Sequence, residues 1–197
     1  MNMMDIEKFA NIDIFKDSGR YLLISDEMQD LHEYAMHILT INLSISEEHH
    51  PKGSAEYCHI KETHDEYRDF YMPSTVLMLL YIFFEKTLRT ICYSITNNSS
   101  FYQIPKGKKF PIDNDGNTFI DKALNYLKDE CHLNIKLTKE HSNYIHSIRK
   151  IRNDYAHGNW DNVKEQLIRL DLETAFRIVT EILDSIRDQD YENKNIK

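Results

Sequence analysis

Pro73-Ser74-Thr75-Val76-Leu77-Met78-Leu79-Leu80-Tyr81-Ile82-Phe83-Phe84-Glu85-Lys86-Thr87-Leu88-Arg89-Thr90-Ile91-Cys92-Tyr93-Ser94-Ile95-Thr96 reads as one long helix, and it sets the class of the chain. Leu77, Tyr81, Phe84, Leu88, Ile91 and Ile95 recur at intervals of three and four, the spacing of one helix face. Val76, Leu79, Leu80 and Phe83 widen that stripe until the first half is apolar nearly all round. A helix of that kind belongs at the centre of a bundle. Pro73 suits a first-turn position, where a missing N–H costs nothing. The apolar run from Val76 to Phe84 is far shorter than the ~20 residues that cross a bilayer, so no membrane partner is expected.

Working outward, the same periodicity predicts four more helices. One lies within Asp26 to Leu43, with Leu31, Tyr34, Ala35, Ile38 and Leu39 inward. A second runs from Thr118 to Cys131 on Phe119, Ala123, Leu124 and Leu127. A third spans Thr138 to His157, with Tyr144, Ile148, Ile151 and Tyr155 inward and Gly158 placed to end it. The last starts at Asp171, a good N-cap, and carries Leu172, Ala175, Phe176, Val179, Ile182, Leu183 and Ile186. The expected fold is all-α, an antiparallel bundle of about five helices in a single domain. Residues 1–20 stand as an N-terminal extension and residues 191–197 as a flexible tail. Two polar connectors, 46–65 and 97–117, are long for structureless loops, so each is either functional or hides a short element.

Composition agrees. Five Gly and four Pro in 197 residues are too few for the many turns of a β-sandwich or barrel. Cys58, Cys92 and Cys131 are widely spaced with no C-x-x-C pair, which excludes a disulfide framework and suits a reducing, cytoplasmic compartment. Met1 to Ala10 has no signal-peptide apolar region. His49, His50, His59 and His64 with Cys58 match no metal-ligand template, and Asp113-Asn114-Asp115-Gly116 departs from a calcium loop. No metal or other cofactor is expected. The formal net charge of -8 weighs against a chain held on nucleic acid by its overall field. Any such contact must be local.

Chemistry concentrates in Ile148-Arg149-Lys150-Ile151-Arg152-Asn153-Asp154-Tyr155-Ala156-His157-Gly158. Apolar residues fix the helix, and Arg152, Asn153 and His157 stand at its end. This arrangement, an Arg-x4-His spacing with a polar residue next to the Arg, resembles the HEPN family. The likeness extends to the helix order and the long apolar helix with its internal Glu85. It covers about Asp26 to Arg187, although only the Arg152 to His157 stretch is specific. The resemblance implies a helical bundle and a homodimer that sets two motifs face to face. It also implies metal-independent RNA cleavage, commonly in toxin–antitoxin modules or antiphage defence. In members silenced by nucleotidylation a Tyr stands two residues beyond the His. Asn159 occupies that position here, so an antitoxin or regulatory protein would act by binding.

The residue types suit that reaction. When a 2′-hydroxyl attacks the adjacent phosphate, a base takes its proton, an acid protonates the leaving 5′-oxygen, and a cation steadies the phosphorane. Histidine serves either proton step. Arginine grips phosphate oxygens bidentately. One chain offers a single pair, and a two-fold dimer offers two. The catalytic candidates are therefore Arg152 and His157, with Asn153 orienting either the phosphate or His157. Arg149, Lys150 and the basic run Lys106, Lys108 and Lys109 are candidate RNA contacts. Glu85 and Arg89 form an i,i+4 pair that could also brace the site. On an ideal straight helix Arg152 and His157 point about 140° apart, so His157 lies in an unwinding last turn or meets Arg152 across the dimer. The alternative is a non-catalytic HEPN-like module that dimerises or binds RNA or a protein partner.

Overall fold

Residues 6–41, 49–97 and 119–195 are described by the structure, a computed structural model. In chain order the helices are α1 (Ile6–Ala10), α2 (Leu22–Leu39), α3 (Ala55–Glu66), α4 (Met72–Thr96), α5 (Phe119–Asp129), α6 (Lys139–Ala156), α7 (Trp160–Leu167) and α8 (Leu172–Asn195). Among the described residues 78% are helical and none is in a strand, so the chain is all-α.

The central helix is α4, which touches α2, α5, α6, α7 and α8. Its predicted stripe is buried from Leu77 to Ile91, and Val76, Leu80 and Phe83 are buried beside it. Every inward residue expected on α5 and α8 is buried as well. On α2 the inner face is Ile24, Met28, His32 and Ala35, while Tyr34, expected inward, is 50% exposed. The shift follows from an earlier start. The helix begins four residues before Asp26, and its buried face centres between Met28 and Ala35, which leaves Tyr34 at the margin.

There are more helices than the five expected, and each extra one lacks a usable apolar stripe. α3 occupies much of the 46–65 connector and buries no residue. Its N-terminus is held by Ser54, whose Oγ accepts from the Tyr57 N–H at 3.1 Å. It then passes without a break through a π-helical turn, Tyr67–Tyr71, into α4. Pro73 accounts for the wide turn. It has no N–H to give and its ring crowds the carbonyl four residues back, so the preceding turn opens and the Met72 N–H reaches the Tyr67 carbonyl. Ser74 and Thr75 return their hydroxyls to the Phe70 and Tyr71 carbonyls at 2.6 and 2.8 Å.

The two ends of the chain are also tied in. Phe9 and Phe15 are fully buried, and Phe9 meets Phe176 edge-on at 5.3 Å. α8 continues through the stretch expected as a tail. Tyr191 donates to Asp17 at 3.0 Å and accepts from the Arg20 N–H at 2.9 Å. Arg20 pairs with the buried Asp190 at 2.8 Å. The N-terminal segment is therefore part of the core.

Candidate functional site

The site is built on the two ends of α6, and both are locally encoded. At the start, the Thr138 hydroxyl accepts from the His141 N–H at 3.1 Å, and His141 Nδ1 accepts from the Thr138 N–H, a reciprocal cap. Buried His141 also contacts Glu181 at 2.8 Å through Nε2. Burial alone would raise the Glu181 carboxyl, but hydrogen bonds from Arg177 and His141 outweigh it and hold the group below its ordinary range. At the other end, the Gly158 N–H donates to the Tyr155 carbonyl at 3.2 Å and the Asn159 N–H to the Asp154 carbonyl at 2.8 Å. That pattern needs a left-handed residue at its corner, and Gly158 supplies it at φ 72°.

The turn is then pinned to α7. The Asp154 carboxylate accepts from Asn159 Nδ2 at 3.1 Å and Gln166 Nε2 at 2.8 Å, and these bonds hold its pKa low. Tyr155 meets Trp160 edge-on at 5.0 Å, and Trp160 in turn faces Phe70 and Tyr71 of the π turn at 6.3 Å. Tyr155, expected inward, is partly rather than fully buried.

Arg152 lies on the inner side of α6, partly buried, with its guanidinium carbon 6.0 Å from the Tyr81 ring centroid. Its Nη1 donates to Asn153 Oδ1 at 3.1 Å. Burial pushes the Tyr81 phenol above its ordinary range and Glu85 adds to this, while Arg152 and Arg149 oppose it. Glu85 holds Arg89 at 3.3 Å, and Arg89 lies over the Phe119 ring at 4.2 Å. Every other arginine of the chain pairs with a carboxylate, for example Arg20 with Asp190, Arg89 with Glu85 and Arg177 with Glu181. Among the described residues, Arg152 alone has an amide oxygen as its partner and no carboxylate.

His157 is the C-terminal cap of α6, at φ -97° and ψ 1°. Its N–H reaches the Asn153 carbonyl at 3.0 Å, and its side chain is exposed. Those angles lie outside the α-helical region, so the helix is already unwinding at His157, whose side chain is exposed while Arg152 is partly buried. No hydrogen bond joins the two side chains among the described residues. Asn153 is the link between them, through its amide to Arg152 and its carbonyl to His157.

The remaining candidates divide. Arg149 turns toward α5, where it pairs with Asp121 at 3.3 Å and donates to His146 Nδ1 at 2.8 Å. Lys150 is exposed and lines a groove between α6 and α7. Lys106, Lys108 and Lys109 lie outside the described residues. Asn159 serves as a structural cap between α6 and α7. Among the described residues, no group of three His, Cys, Asp or Glu is placed to hold a metal ion. No described helix is long and apolar enough to cross a membrane.

The groove was not anticipated from the sequence. Besides Lys150 its walls carry Lys139, Asn143, His146 and Arg169. The signal was present as Lys139-x6-His146-x3-Lys150, offsets that return to one helix face. Comparison with family models, with curated proteins and with solved structures finds no match, so the chemistry of the site is read from its own residues.

Proposed function

We propose that the chain is a metal-independent endoribonuclease of the HEPN kind, acting as a homodimer in a toxin–antitoxin or antiphage setting. The observation that carries this reading is the lone carboxylate-free guanidinium of Arg152, beside Asn153, one helix turn from the exposed imidazole of His157. A guanidinium left without a carboxylate is ready for a phosphate, and an exposed histidine is free to exchange protons. Arg152 and His157 leave α6 in different directions, so a single chain does not close both on one phosphate. In a two-fold dimer joined at this end of the bundle, two histidines serve as base and acid. The two guanidiniums clamp the phosphorane. A regulatory partner would act by covering this end.

The test is cleavage of single-stranded RNA by the purified chain with EDTA present. The expected 5′ fragments end in 2′,3′-cyclic phosphate and the 3′ fragments begin with 5′-hydroxyl. A 2′-deoxy substitution at the scissile nucleotide is expected to block cleavage, and sedimentation is expected to show a dimer. Activity that requires magnesium or manganese would overturn the reading. A folded dimer that binds RNA and never cuts it would identify the non-catalytic module instead.

A further inference from the structure

The formal charge of -8 makes general attraction to nucleic acid unfavourable, yet the groove between α6 and α7 has the opposite balance. Its volume is about 710 Å³, within the size of a small-ligand site, and it carries Lys139, Lys150, Arg169 and His146 against a single carboxylate, Glu140. Glu140 is already held by Arg177 at 3.0 Å. Arg169 spends part of its charge on Glu165 at 3.1 Å. Lys139 and Lys150 are exposed and form no salt bridge among the described residues, although, after the Asn159 and Gln166 hydrogen bonds, the charge of Lys150 helps hold the Asp154 pKa low. His146 accepts from Arg149 at Nδ1, which places its proton on Nε2 as a further donor. Asn143 adds an amide to the same wall.

These groups are in line. Lys139, His146 and Lys150 stand at offsets of seven and four. They therefore share one face of α6, with His157 beyond them at the helix end. We infer that this groove is the track on which a single RNA strand lies. Lys139 and Lys150 hold backbone phosphates and deliver the next phosphate to His157. The inference rests on the ribonuclease reading for its endpoint, but it makes a separate claim about where the strand binds.

The test measures fluorescence anisotropy of a labelled, 2′-O-methylated single-stranded RNA, which binds without being cut, against the full chain over a range of salt. Lys139→Ala combined with Lys150→Ala is expected to weaken binding about tenfold or more. It should also reduce the slope of log affinity against log salt by about 1.4, two single-strand phosphate contacts. Lys16→Ala with Lys86→Ala, an equal charge change elsewhere, is expected to leave both unchanged. Lys139 and Lys150 are exposed, so the melting temperature is expected to hold and to certify the fold. Wild-type affinity and slope in the groove variant, or no binding by the wild type, would overturn the inference. So would equally tight, lysine-dependent binding of an oligoglutamate, which would make the groove a dock for acidic protein segments. Groove-dependent binding without cleavage would sink the ribonuclease reading alone. Cleavage with binding indifferent to both lysines would sink the groove alone.

Discussion

Gly158 is the residue on which the geometry of the site turns. Its φ of 72° lets α6 stop at His157 and lets Asn159 and Trp160 start α7. A Cβ added there would meet only Trp160 Nε1 at 3.8 Å, an ordinary contact, so any cost is in the backbone. Gly158→Ala is expected to cost about 1 kcal/mol. Calorimetry should then show a Tm roughly 2–4 °C lower. No change in Tm would mean that the turn does not need the left-handed residue. Arg152 and His157 stand out in the sequence as a candidate pair because a cation, an amide and an imidazole at a helix end contrast with an apolar frame. Their relation was legible only as an angle. That His157 ends the helix exposed to solvent while Arg152 is partly buried depends on the capping bonds of Asn153, Asp154 and Tyr155, which spacing does not report.

Among the elements, α4, α5, α6 and α8 were readable because each buries a continuous stripe, and burial is what periodicity records. α6 begins and ends at the expected residues since Thr138 and Gly158 are strong local signals. α3 and α7 were not readable for the converse reason. α3 buries nothing, and α7 buries only Val163 and Leu167. The junction of α6 with α8 shows how such contacts are fixed. The Tyr144 hydroxyl donates to the Asp171 carbonyl and accepts from the Asp171 N–H at 2.8 Å. Meanwhile the Asp171 carboxylate caps Thr174 at 2.9 Å. Burial pushes the Tyr144 phenol up to about 12 from its ordinary 10.0. A group raised on folding adds stability that is fully present below its unfolded value and is lost as pH climbs through the folded one. Tyr144→Phe is therefore expected to be less stable than wild type by about 1 kcal/mol near neutrality. The gap should close as pH rises from 10 toward 12. Chemical denaturation across that range checks it, and a gap that persists at high pH would show that the hydroxyl is not the cause.

At the scale of the molecule, the proposed RNA track is a local basic patch on an acidic chain. Several of the chain's carboxylates pair with its own arginines, and a row of exposed cations lies along one face of α6. The same helix turns Arg152 toward α4 and His157 toward solvent, which makes a second chain necessary for the proposed chemistry. The all-helical class was readable from composition and from the Pro73 to Thr96 stretch. The integration of residues 6–20 into the core was not, because Phe9, Ile14 and Phe15 form no periodic segment and acquire their partners from α2 and α8. The most direct test is the rate of RNA cleavage by His157→Ala beside wild type, with the melting temperature of each. His157 is exposed at a helix end, so its loss is expected to leave Tm within a few degrees. Loss of a general acid–base should reduce the rate by roughly 10²–10⁴-fold. A stable His157→Ala chain that cleaves RNA at the wild-type rate would contradict the proposed ribonuclease site.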